Sequence, residues 1–228
     1  MTRDLRRSIG VGGIFIEIGL IFVGISLAIQ FENWNQGRRQ YADELGLLTS
    51  IRDELLKDTV DISQNMRAYG LAIARDSTIL SQLTRREPID STTVHYYQDM
   101  LHNLDFTFQS SAYETLKSRG VHLISNDDLR SRIISLYGFD YRRTERMENE
   151  GRIDDRVDRI ADYFFRHFQL DRSGNVVPSN YDELLNDKGF QLLLSYTLDN
   201  KRFLRRHYSH LLTEVRALVA DINFEIAR

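Results

Sequence analysis

The chain has 228 residues, 30 Lys and Arg against 33 Asp and Glu, and a formal net charge of −3, with no strongly basic half. That balance argues against a nucleic-acid partner, which needs a concentrated basic surface. The absence of cysteine excludes disulfides, thiolate catalysis and cysteine metal sites.

Ile9 to Ile29 forms an apolar run whose only ionisable residue is Glu17. At 1.5 Å per residue it spans roughly 31 Å, one bilayer hydrocarbon core. It is too long for the apolar core of a cleaved signal peptide, and no small-x-small site follows it. The expected organisation is a cytoplasmic tail over 1–8, a transmembrane helix over 9–30, and an extramembrane helical domain over 31–228. Arg3, Arg6 and Arg7 precede the run, whereas Arg38 and Arg39 follow at a greater distance. The positive-inside bias then puts the domain outside the cytoplasmic membrane, in a periplasm if the cell has one.

On a heptad, Gly10, Glu17, Gly24 and Phe31 share one position, and Gly13, Leu20, Leu27 and Trp34 share its partner. Small residues let helices approach closely in lipid, so Gly10, Gly13, Glu17 and Gly24 are candidates for a homo-oligomer interface. Three roles stay open for Glu17: hydrogen bonding between copies, pairing with a basic residue of a membrane partner, or lining an ion path. Trp34, flanked by Asn33 and Asn35, stands where polarity resumes and is a candidate membrane-interface anchor. The two asparagines either meet headgroups or cap the next helix.

These residues carry a resemblance. Ile16 to Ile25, then Ala28, Gln30 and Asn33-Trp34-Asn35, resemble a family of uncharacterised, Bacteroidetes-type bacterial single-span membrane proteins, a domain of unknown function. Ser111 to Gly120 and Leu123 to Arg130 are similar to a second block of that family. This chain departs at the exit, with Phe31-Glu32 where members commonly carry Ile-Asn. The resemblance implies a membrane-anchored helical protein and supplies no activity.

Beyond the run, apolar residues from Tyr41 to Leu83 recur in steps of three and four. They predict one long helix to about Arg85, continuous with the span and ended by Pro88. Arg52, Thr59 and Asp76 interrupt its stripe, which favours packing in a bundle over a coiled coil. A short helix is expected over 91–104. Ser111 and Glu114 read as a capping box, Gly120 as a stop and Asn126 as the next cap. That next helix is expected to reach about Phe168, and its charged middle is either the solvated waist of a long helix or a break near Gly138 or Gly151. Asp171 to Asn180 reads as a loop, Ser179 with Asp182 as a helix start, and Asp187 onward as a final long helix. The predicted fold is an all-α, up-and-down bundle.

No phosphate loop, G-x-S-x-G elbow, H-E-x-x-H or Glu-x-x-His pair occurs, so no cofactor is expected. His207, His210 and Glu214, and likewise His95, His102 and Asp99, form incomplete metal sets that read as scattered histidines. Tyr96, Tyr97, Phe106, Phe108 and Tyr113 line either a ligand pocket or, more simply, a core. The expected function is a non-enzymatic interaction protein that oligomerises through its span in the bilayer. The alternatives are a small-molecule sensor acting through a membrane partner and a small oligomeric channel using Glu17.

Overall fold

The computed structural model describes the backbone of 11–100, 106–152 and 156–228, and side chains within these stretches except at 11–18, 99 and 149–160. The tail over 1–8, Gly10, Leu101, His102, Leu104 and Ile153 therefore lie outside the described residues, as do the side chains of Glu17, Asp99, Val157 and Ile160. The chain divides into two compact units, Met1–Leu47 and Leu48–Arg228.

The described residues are mostly helical, with long helices. The first helix, α1, runs Val11–Arg85. It ends on Arg86, whose φ of 57° is left-handed. The Glu87 N–H then reaches back to the Gln82 carbonyl at 3.0 Å, closing the helix as a Schellman turn ahead of Pro88. Of the short helix expected over 91–104, the described part, 91–100, forms turns and α2, Tyr96–Asp99.

The second unit continues through α3 (Ser111–Arg119), α4 (Asp127–Ser135), α5 (Tyr141–Arg152) and α6 (Arg156–His167). Gly120 stops α3 with a φ of 102°, where a β-carbon would also collide with the His122 ring. Asn126 caps α4 by accepting from the Leu129 N–H at 3.1 Å. Between α4 and α5, Leu136–Asp140 forms a π turn around Gly138, one of the two glycines named for a break; the residues that follow the other, Gly151, lie partly outside the described set.

The 171–180 loop is the tip of a hairpin. β1 (Phe168–Leu170) pairs antiparallel with β2 (Val176–Pro178), Phe168 opposite Pro178. Asp171 Oδ1 organises the tip by accepting from the N–H groups of Ser173 and Asn175, and Gly174 takes a φ of 82°. Apart from this ribbon, the described residues are consistent with the all-α expectation. After it, α7 (Tyr181–Asn186) is capped by Asn180 rather than Ser179, and α8 (Lys188–Ile226) by Asp187.

Two cores fill this unit. In one, Ile79, Leu83, Tyr97, Phe164, Phe168 and Phe190 pack together. In the other, rings from α3, the π turn and α5 meet α1 and α8: Tyr113 stacks on Tyr137 at 4.5 Å, Phe108 lies 4.6 Å from Tyr141, and Tyr69 lies 5.7 Å from Tyr208.

Candidate functional site

In the first unit, Leu20, Ile21, Phe22, Val23, Ile25, Leu27, Ile29, Phe31 and Trp34 are all exposed. A β-carbon added at Gly19 or Gly24 would meet nothing within 4 Å. Gly13 and Glu17 are helical positions of α1 whose side chains lie outside the described set. Trp34 has Phe31 beside it at 5.9 Å and the Arg38 guanidinium 5.1 Å from its ring centre. Because α1 passes through Asn33 and Asn35 without interruption, neither caps a helix. Over the described residues alone, no helix is long and apolar enough to cross a membrane.

In the second unit, α1 presents Glu54, Asp58 and Asp61 at steps of four and three, on one face of the helix. Together with Glu148 of α5, they hold the segment 106–112. Ala112 N–H donates to both Glu54 oxygens at 3.1 Å. Gln109 N–H donates to Asp58 Oδ1 at 2.9 Å, Phe106 N–H to Glu148 Oε2 at 3.1 Å, and Thr107 N–H to Asp61. Tyr141 donates its hydroxyl to Asp58 Oδ2 at 2.7 Å, and Tyr208 donates to Glu148. This long-range arrangement replaces the expected Ser111–Glu114 capping box: Ser110 is the N-cap residue and makes no side-chain cap bond.

Burial dominates the electrostatics of this layer. It pushes Asp58 up to about 6, against the opposing hydrogen bonds from Gln109 and Tyr141. Glu148 and Asp61 are raised for the same first reason, and the hydroxyls of Tyr137, Tyr141 and Tyr208 are driven far above their ordinary range. The Tyr137 hydroxyl is buried with no hydrogen-bond partner among the described residues. With their oxygens turned onto the chain's own N–H groups, the carboxylates work as a clamp. Of the aromatic cluster read from the sequence, Phe106, Phe108 and Tyr113 join this layer, whereas Tyr97 packs with Phe168 in the other core and Tyr96 lies against it.

His207 Nε2 lies 2.8 Å from Thr144 Oγ1, and burial, followed by Arg143 and His210, holds its pKa below the usual range. Among the described residues no group of His, Cys, Asp and Glu could hold a metal ion. Asp76, which interrupts the α1 stripe, is buried and receives the Lys201 ammonium of α8 at 2.7 Å. Alongside this pair, α1 and α8 border an open groove of about 620 Å³. Sequence reasoning missed the clamp and the groove; of the named interruptions of the apolar stripe, Asp76 marked only the buried pair with Lys201. Compared with family models, curated proteins and solved structures, the chain matches none.

Proposed function

We propose that the chain is a single-span membrane protein that carries a helical interaction domain outside the bilayer and catalyses no reaction itself. The observation behind this reading is the run Leu20-Ile21-Phe22-Val23, four consecutive large apolar residues, each more than half exposed. At about 100° per residue these positions circle the helix, leaving no polar face to turn toward water. Keeping such side chains in water forgoes about 1.5–3 kcal/mol each relative to an apolar surrounding, and hydrocarbon removes that penalty. In this reading 9–30 spans, Trp34 sits in the headgroup layer, and copies associate along Gly10, Gly13, Glu17 and Gly24. The resemblance of 16–35 to single-span bacterial proteins supports the same assignment.

Fractionation of cells tests the anchor. The full-length chain is expected to remain in the membrane pellet after an alkaline carbonate wash and to be freed by detergent. Recovery of the intact chain in the supernatant overturns the reading. A second role, ligand sensing through a membrane partner, is favoured by the groove between α1 and α8.

A further inference from the structure

Two facing stretches of the bundle carry no carboxylate. On α1, 62–75 holds Arg67 and Arg75; on α8, 200–213 holds Lys201, Arg202, Arg205 and Arg206. The Tyr69–Tyr208 contact, 5.7 Å between rings, sets them side by side. This is a cationic band in a chain whose net charge is −3. Part of it is answered within the fold: Lys201 pairs with Asp76, and Arg202 with Asp199 at 3.2 Å. Arg67 and Arg205 have no ion-pair partner among the described residues.

Those two arginines border the groove of about 620 Å³, whose remaining surface includes Met66, Gly70, Leu71 and Leu212. The Arg205 side chain lies over Gly70, its Nε 3.6 Å from the place a β-carbon would take, so its guanidinium rests on the backbone of α1. Leu71 is 59 % exposed beside it. The groove thus offers two planar fork donors at an apolar surface, and its volume falls in the usual range for small-molecule sites, about 300–1,000 Å³.

We propose that this groove binds an amphipathic anion, with a phosphate or carboxylate head held by Arg67 and Arg205 and a short apolar tail laid along Met66, Leu71 and Leu212. The site belongs wholly to the second unit and stands whether or not the N-terminal run crosses lipid. Such a head could be a lipid headgroup or part of a soluble molecule; the chemistry of recognition is the same.

Calorimetric titration of the full-length chain tests it, in phosphatidylcholine nanodiscs with empty discs as blank, or in buffer if the chain does not enter discs. Hexyl phosphate is expected to bind saturably and at least tenfold tighter than inorganic phosphate or hexanol. Arg67→Gln and Arg205→Gln should each weaken it tenfold or more. Leu71→Gln should weaken hexyl phosphate while leaving inorganic phosphate unchanged, and Ser209→Ala, on the exposed side of α8, should change neither. All four positions are solvent-facing, and unchanged helical circular dichroism checks folding. Discs containing phosphatidylglycerol separate the two sources: lost hexyl phosphate binding assigns the site to a lipid headgroup, and unchanged binding to a soluble ligand. Heats equal to the blank, or wild-type affinity in both arginine variants, overturn the proposal.

Discussion

Tyr137 and Tyr141 lie one turn apart, both buried, yet only one has a use for its hydroxyl. Tyr141 donates to Asp58, while the Tyr137 oxygen is buried without a partner among the described residues. Removing a satisfied donor leaves a buried carboxylate short, and removing an unsatisfied one relieves a desolvation cost. Tyr141→Phe should therefore destabilise the fold by about 1–3 kcal/mol, and Tyr137→Phe should be neutral or stabilising, both read from urea unfolding. Asp58 adds a pH dependence. Its folded pKa, raised from 3.8 to about 6, means the folded chain binds this proton more tightly than the unfolded chain. The stabilising contribution is complete below about pH 4 and is lost as pH rises through about 6, a swing of about 2–3 kcal/mol. Asp58→Asn keeps an acceptor for Gln109 and should flatten that slope. The lowered pKa of His207 works in the opposite sense, costing stability as pH falls through its ordinary range, so the single variant, and not the raw profile, isolates Asp58.

At the level of elements, the start of α3 is set by a helix far away in sequence. Glu54 accepts the Ala112 N–H, and Glu54→Ala should cost about 1–2 kcal/mol, as the loss of a cap does. The α1–α8 pairing holds a larger stake. Lys201→Met leaves Asp76 buried without its ammonium and should cost about 3–5 kcal/mol in the same unfolding assay. Signals written locally were legible: the length of α1, the stop at Gly120, the cap at Asn126 and the start of the last helix at Asp187. What failed was local chemistry overruled at a distance. Ser111 and Glu114 have the spacing of a capping box, but Glu54, 58 positions away, takes the donor. The hairpin escaped because strands of three residues leave no alternation to read. Asp76 interrupts the stripe in the sequence, but its partner Lys201 lies 125 residues further on and cannot be read from periodicity.

For the whole molecule, the proposed anchor and the proposed groove make separate demands. Self-association along the glycine stripe requires close backbone approach, so Gly13→Leu with Gly24→Leu should reduce crosslinked dimers in membranes while leaving the chain in the pellet. An unchanged crosslinking yield removes the stripe from the interface. The candidate positions in the first unit are read from composition, and the crosslinking measurement is what tests them. The groove was not legible, because it exists only where two stretches 130 or more residues apart come side by side, and neither stretch is unusual alone.

The five-residue π turn at Leu136–Asp140 has a consequence of phase. A wider coil puts one surplus residue between α4 and α5, so everything C-terminal to it is rotated relative to a regular continuation. Thr144 and Glu148 aim inward because of that surplus. Closing the π turn into regular α-helix with every residue kept would turn both about 100° away from His207 and Tyr208, whereas excising Gly138 together with the bulge would leave their direction unchanged, which makes one surplus backbone unit, rather than any side chain, the hinge pin on which the carboxylate layer is aligned.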